Sequence, residues 1–297
     1  MRIEEIVSGI KEVAPLPKAY IRIQELVNDP SSSFHDVTEV ISNDPGLTSR
    51  VLRIANSAYM GLVTKCDTIS RAVQVLGLNQ VHDLALASAA VGSLTRMESK
   101  ALDIYDFWRR SIYCASVSRL LARKVKHRAA DRLFVGGLLH DVGSLVLAYK
   151  DPLLYSELLA ASKRGKIPLA TIEREQLGFD YAAISAELMT QWQLPADLRE
   201  AVRCHTGNLS LAPPENWRDT AIIHVGAVVS RAAMWHSDDD EPVPDFDPVA
   251  TQLVDLSDAF VEELMIEADA IVVEAMSLLL PDLKGRGPGK RTERSVA

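Results

Sequence analysis

Helix punctuation recurs along nearly the whole chain and constrains its fold more than any other feature. Ser33-Phe34-His35-Asp36, ahead of Val37, Val40 and Ile41, has the form of a capping box with Asp in place of Glu. Asp44-Pro45 joins an N-cap to a proline at the first helical position, where no N–H is needed. Leu47, Val51, Ile54 and Ala55 then share one face at helical spacing. Ser70 is placed to cap residues 71–76, Gly77 to end them in a left-handed turn, and Asn79 to start the next helix. Residues 104–125 read as one long helix, Asp131 as the cap of the helix that ends at His140-Asp141 and Gly143, and Asp180 as the cap of 181–192. Pro195 suits the first turn of 195–205. Alternating apolar and polar runs bounded by turn dipeptides are nearly absent. An all-α fold of about ten or more helices is predicted.

The helices sort into groups. Residues 1–95 are expected to form an N-terminal helical subdomain and 96–236 a second one. Residues 237–250 read as a solvated acidic loop carrying Pro242, Pro244 and Pro248, followed by a helical segment at 251–283 and a disordered tail at 284–297. No apolar stretch is seen to reach the roughly 18 residues that span a membrane, and the charged start lacks a signal-peptide core. Three cysteines (Cys66, Cys114 and Cys204) without a Cys-x-x-Cys suit a reducing compartment, so a cytoplasmic location is expected. A net charge of -8 disfavours nucleic acid as a partner.

Chemistry concentrates at Gly136-Gly137-Leu138-Leu139-His140-Asp141-Val142-Gly143. An adjacent His and Asp can serve a metal, since neutral imidazole and ionised carboxylate both suit divalent ions. Two ligands alone hold an ion weakly. The pair can equally be a buried polar tie between helices, because buried polar groups find partners without any catalytic role. No nucleophile elbow, Walker loop or dinucleotide fingerprint occurs, and Cys114 and Cys204 lie on apolar helices.

Several pieces, in this order, resemble the HDOD family, a relative of the HD phosphohydrolases. They are residues 41–47, 52–58 and 69–77 in the first half, and 107–111, 136–143 and 192–195 in the second. The resemblance covers roughly residues 15–210 and implies an HD-like multi-helix bundle with an N-terminal helical subdomain. It also implies a role in bacterial signal transduction and gene regulation. Carried over residue by residue, the HD ligand pattern keeps His140 and Asp141 but places Arg110, Tyr181 and Gly226 where a His, a His and an Asp would stand. His205 keeps one member of a histidine pair, and His224 is near the last position in another register.

Arg110 is expected to matter most. A guanidinium stays protonated, repels a divalent cation, and can pair with Asp141 instead. The expected reading is a pseudo-active site of Arg110, His140, Asp141, Tyr181 and His205, with no cofactor and no metal, His140 and Asp141 being the weak candidates. Asn43, Asp44, Asn56, Ser57, Trp108 and Trp192 are expected to shape the junction between the subdomains, each indole N–H with a partner nearby. The function implied is a non-enzymatic signalling module acting through regulatory proteins or a small ligand, with a homodimer left open. The alternative is a weak metal-dependent phosphohydrolase acting on a nucleotide or cyclic dinucleotide.

Overall fold

The computed structural model describes residues 2–57, 60, 62, 64–207, 209–235 and 241–280. The regular elements among the described residues are all helices. The first group is α1 (Ile3–Val7), α2 (Ile10–Val13), α3 (Lys18–Asn28), α4 (Phe34–Ser42), α5 (Pro45–Ala55), α6 (Ile69–Leu76) and α7 (Leu78–Leu94). The second is α8 (Ile104–Lys124), α9 (Ala130–Leu139), α10 (Val142–Lys150), α11 (Pro152–Gly165), α12 (Leu169–Leu177), α13 (Tyr181–Gln191), α14 (Ala196–Cys204) and α15 (Trp217–Met234). Two more follow, α16 (Pro248–Leu253) and α17 (Asp258–Leu279). The tail at 284–297 and His236 lie outside the described residues.

Local chemistry sets most boundaries. Ser33 and Asp36 close a reciprocal capping box on α4, and Asp44 accepts from the Leu47 amide to start α5 with Pro45 behind it. Asp180 caps α13 through the Ala183 amide. Three expected caps differ. Thr68, not Ser70, caps α6 by accepting from the Arg71 amide. Gly77, at φ 88°, serves as both the end of α6 and the start of α7, so Asn79 already lies inside the helix. Asp131 does not cap α9; its carboxylate pairs with buried Arg119 at 2.6 Å, and an ion pair to a buried guanidinium outweighs a cap.

The helix expected to end at His140-Asp141 and Gly143 stops at the dyad, and a new helix starts directly after it. α9 ends at Leu139, His140 and Asp141 form the joint, and α10 starts at Val142. Two close approaches position that joint. A Cβ on Gly137 would stand 2.7 Å from Ala115 Cα, so α9 lies directly on α8. A Cβ on Gly143 would stand 2.0 Å from the Tyr181 carbonyl oxygen, so α10 lies on the start of α13.

α8 is the central strut, with α9, α15 and α17 against it, while α17 also reaches α5 and α7. α1 crosses to pack on α13 and α10. One apolar core runs continuously from Ile6 to Leu280. Contrary to the sequence expectation, residues 130–150 are long and apolar enough to cross a membrane by composition alone; 89% of that window is buried inside the bundle, which explains its apolarity.

Trp108 and Trp192 are buried core residues, but neither indole N–H has a hydrogen-bond partner among the described residues, contrary to expectation. The residues from Asn43 to Ser57 tie turns within the first group. Asn43 follows α4 as its C-cap. Asn56 brackets Cys66 through both its N–H and its C=O, and Ser57 donates to the Ile54 carbonyl. A polar tie between the groups runs from Gln24 on α3, whose amide donates to the carbonyls of Gln193 and of Trp192, one of the residues expected at the junction.

Candidate functional site

The dyad sits where α8, α10, α13 and α15 converge. Asp141 is fully buried, and its carboxylate carries three contacts. Arg110 Nη2, from the first half of α8, donates to Oδ2 at 2.7 Å. Ser144 Oγ donates to Oδ1 at 2.5 Å. Arg231 Nη2, from α15, lies 3.8 Å from Oδ2. Burial alone would raise the Asp141 pKa, but the Arg110 and Arg231 guanidinium groups outweigh it and hold the carboxyl below its usual range.

His140, beside it, donates from Nδ1 to the Gly137 carbonyl at 2.7 Å, and its Nε2 is buried without a hydrogen-bond partner among the described residues. His205, at the end of α14, repeats the arrangement, with Nδ1 donating to the Val202 carbonyl at 2.6 Å and a bare, buried Nε2. The two rings meet edge to face with centroids 5.3 Å apart, and Tyr181 lies against His205 at 5.8 Å. Burial keeps both imidazoles neutral, pushing His205 down to about 4 and His140 well below its ordinary value. The structure thus brings Arg110, His140, Asp141, Tyr181 and His205 into one cluster.

Three further residues complete it. Arg231 is 6% exposed, stacks on Tyr181 at 5.2 Å, and donates from Nε to Glu241 Oε1 at 3.2 Å. Glu241 also faces Arg110 Nη1 at 3.9 Å. The stretch 241–247 is therefore not the solvated linker expected. Glu241 covers the two arginines, the Asp247 amide donates to His224 Nε2 at 2.9 Å, and Phe246 packs on the His224 ring. Helix α16 already begins at Pro248 within the expected loop. Glu173 is fully buried and accepts from the Tyr181 amide at 2.7 Å, and burial raises its carboxyl well above the ordinary range. Arg231, Glu241 and Glu173 carry no local sequence signal: nothing in spacing along the chain marks a pairing across 90 residues.

A divalent metal does not fit these residues. The Asp141 carboxylate is taken by a permanent cation and a hydroxyl. His224 has both nitrogens engaged, Nδ1 donating to the His205 carbonyl and Nε2 accepting from Asp247. Gly226 offers no room for a carboxylate, because even a Cβ there would stand 2.4 Å from Ser118 Oγ and 2.9 Å from the Cys114 carbonyl oxygen. Among the described residues of the cluster, His140 Nε2, His205 Nε2 and Glu173 Oε1 are buried without a hydrogen-bond partner, and the two imidazole nitrogens keep ligand character.

A concavity lies apart from this cluster. An open cleft of about 1400 Å³ runs between the two helical groups, lined by Gln24, Phe34 and His82 on one side and Arg128, Arg132 and Gln193 on the other. His82 is braced there by the Tyr20 hydroxyl and Asp83, each 3.2 Å away.

The HDOD domain family matches residues 13–207. An uncharacterized protein of Treponema pallidum (strain Nichols) is 27% identical over 212 residues, and the chain spans about 40% of that relative's length against 71% of its own. Among solved structures, an HDOD domain protein of unknown function from Geobacter sulfurreducens superposes with a TM-score of 0.71 at 22% identity, covering 93% of this chain and 95% of that one. A protein of Shewanella amazonensis SB2B provisionally named a phosphohydrolase gives 0.64 at 25% identity, covering 89% and 97%.

Proposed function

The chain belongs to the HDOD family, and from that premise we propose that it is a regulatory module of signal transduction that performs no turnover. It acts through contacts with signalling or regulatory proteins, or by sensing a small ligand, in a reducing cytoplasmic setting. Its two expected subdomains, 1–95 and 96–236, supply the opposing walls of the 1400 Å³ cleft, which suits either role. The observation that carries the reading is the Arg110 guanidinium on the Asp141 carboxylate at 2.7 Å, because that cation fills the charge requirement an activating metal would otherwise meet. The dyad then serves as a polar keystone between α8, α10 and α15.

The test uses the full chain. Metal content by elemental analysis and turnover of phosphomonoester and phosphodiester substrates with manganese, magnesium or iron are measured together. The expected result is far less than one metal per chain and no turnover. Metal-dependent turnover that disappears in Asp141→Ala overturns the reading.

The bare Nε2 atoms of His140 and His205 favour a second reading, a weak metal-dependent phosphohydrolase acting on a nucleotide or cyclic dinucleotide. It requires Arg110 to leave Asp141, and it loses His224 as a recruit because both nitrogens of that ring are occupied.

A further inference from the structure

Glu241 meets the two arginines imperfectly. Its one hydrogen bond among the described residues is from Arg231 Nε at 3.2 Å, while Arg110 Nη1 stays 3.9 Å away. Among the described residues, Arg231 Nη2 and Arg110 Nε are both buried with no hydrogen-bond partner. A guanidinium offers five N–H donors in a planar fork that matches an oxyanion with two or more free oxygens. Here two forks converge and a single tethered carboxylate leaves donors unused. Desolvated donors without acceptors are costly, so the arrangement favours an untethered oxyanion whose oxygens can reach the donors that Glu241 meets poorly.

The two carboxylates are held very differently. Asp141 is fully buried and fixed by Ser144 and Arg110. Glu241 has 12% of its side chain exposed, beside an Arg110 with 20% exposed, and it stands on the irregular stretch 241–247 rather than on a helix. With Asp141 counted and Glu241 removed, the two arginines leave one net positive charge beside the partly exposed Arg110.

We propose that Arg110 and Arg231 form a binding site for a small oxyanionic ligand, a phosphate or carboxylate group, and that Glu241 is its tethered occupant, displaced when the ligand enters. The inference rests on the regulatory reading and names the chemistry of its ligand. Displacement frees the 241–247 stretch, whose next anchor is the Asp247 amide on His224. Ligand entry is thereby converted into a change at the surface beside α16.

Glu241→Gln in the full chain separates this from a purely structural ion pair. Inorganic phosphate and succinate are titrated in turn at constant ionic strength, with binding read by calorimetry. Saturable binding at least about 10-fold tighter than in the wild type is expected for one of the two anions, since the variant removes a competing charge-assisted hydrogen bond. The preferred anion identifies the ligand's headgroup. Arg231→Lys, which keeps the charge but not the fork, is expected to lose that binding. No saturable binding of either anion by folded Glu241→Gln overturns the proposal. A measurement on the wild type needs no variant: hydrogen exchange at the Asp247 amide should quicken when the preferred anion saturates, and unchanged exchange at saturation overturns displacement. Turnover with added metal would strike the regulatory reading instead, and it is read in a different assay.

Discussion

Arg110 on α8 donates to Asp141 at the α9–α10 joint, linking by one charged hydrogen bond two elements that are 31 positions apart. The partner on the acid side has no access to water, so the pair is a matched set in which neither half is tolerable alone. Arg110→Met should destabilise the fold by about 3 kcal/mol, the low end for an orphaned buried charge, because Arg231 remains 3.8 Å from the carboxylate. The double variant Arg110→Met/Asp141→Leu should cost much less than the two single changes added together. Urea unfolding across the double-mutant cycle checks this, and additive costs would show that the two groups are not coupled.

Gly143 and Gly92 make opposite predictions from the same substitution. A methyl at Gly143 would run into the Tyr181 carbonyl oxygen at 2.0 Å, forcing α10 off α13. Gly92 is exposed within α7 and has nothing within 4 Å of the added Cβ. Gly143→Ala should therefore lower stability by about 3 kcal/mol or more. Gly92→Ala should raise it by about 0.5–1 kcal/mol, the helix-interior penalty of glycine. Thermal unfolding of the two variants side by side tests the contrast.

What the sequence made legible was local. The Ser33–Asp36 box, the Asp44-Pro45 start and the Asp180 cap each depend on atoms within four residues, so their chemistry is written in adjacent letters. Asp131 misled because two physical uses of one carboxylate compete, and only the fold brings Arg119 close enough to win. The same holds at the candidate site. Arg110, His140 and Asp141 could be found because they lie in recognisable segments. Arg231 sits in the last turns of a largely apolar helix, where a single cation breaks no period, and Glu241 sits in an acidic run that resembles any solvated loop. Their pairing is a property of tertiary structure alone.

Acid should loosen this protein well above the pH at which carboxylates titrate. His140, His205 and His224 are all held neutral by burial, His205 down to about 4 from 6.5. The unfolded chain takes up protons near pH 6.5 while the folded chain does not, so unfolding binds protons and stability falls as pH drops from about 6.5 toward 4. His205 alone accounts for as much as about 3 kcal/mol over that window. Glu173 acts in the other direction: its folded pKa is raised by burial, so its contribution is complete below 4.5 and declines as pH rises. Unfolding midpoints at pH 7, 5.5 and 4.5 should fall steadily in the wild type and less steeply in His205→Gln. Glu173→Gln should gain on the wild type between pH 4.5 and 7.

The Asn56 side chain imitates a pair of backbone hydrogen bonds, and its removal should expose a particular thiol. Oδ1 accepts from the Cys66 amide at 2.6 Å and Nδ2 donates to the Cys66 carbonyl at 2.8 Å, which draws the segment before α6 against the end of α5. Cys66 is 1% exposed as a result. Alanine at 56 would strand both backbone groups of Cys66, a loss of about 2 kcal/mol concentrated in that segment rather than spread over the fold. Local opening of that size should raise the rate at which a thiol reagent labels Cys66 by about 10-fold or more. Cys114, inside α8 against α15, should label at an unchanged rate, because its release requires the whole bundle to open. Peptide-resolved alkylation kinetics distinguish the two thiols. Equal acceleration at both would mean that Asn56 supports the global fold, and no acceleration at either would mean that the clamp contributes nothing to holding the loop.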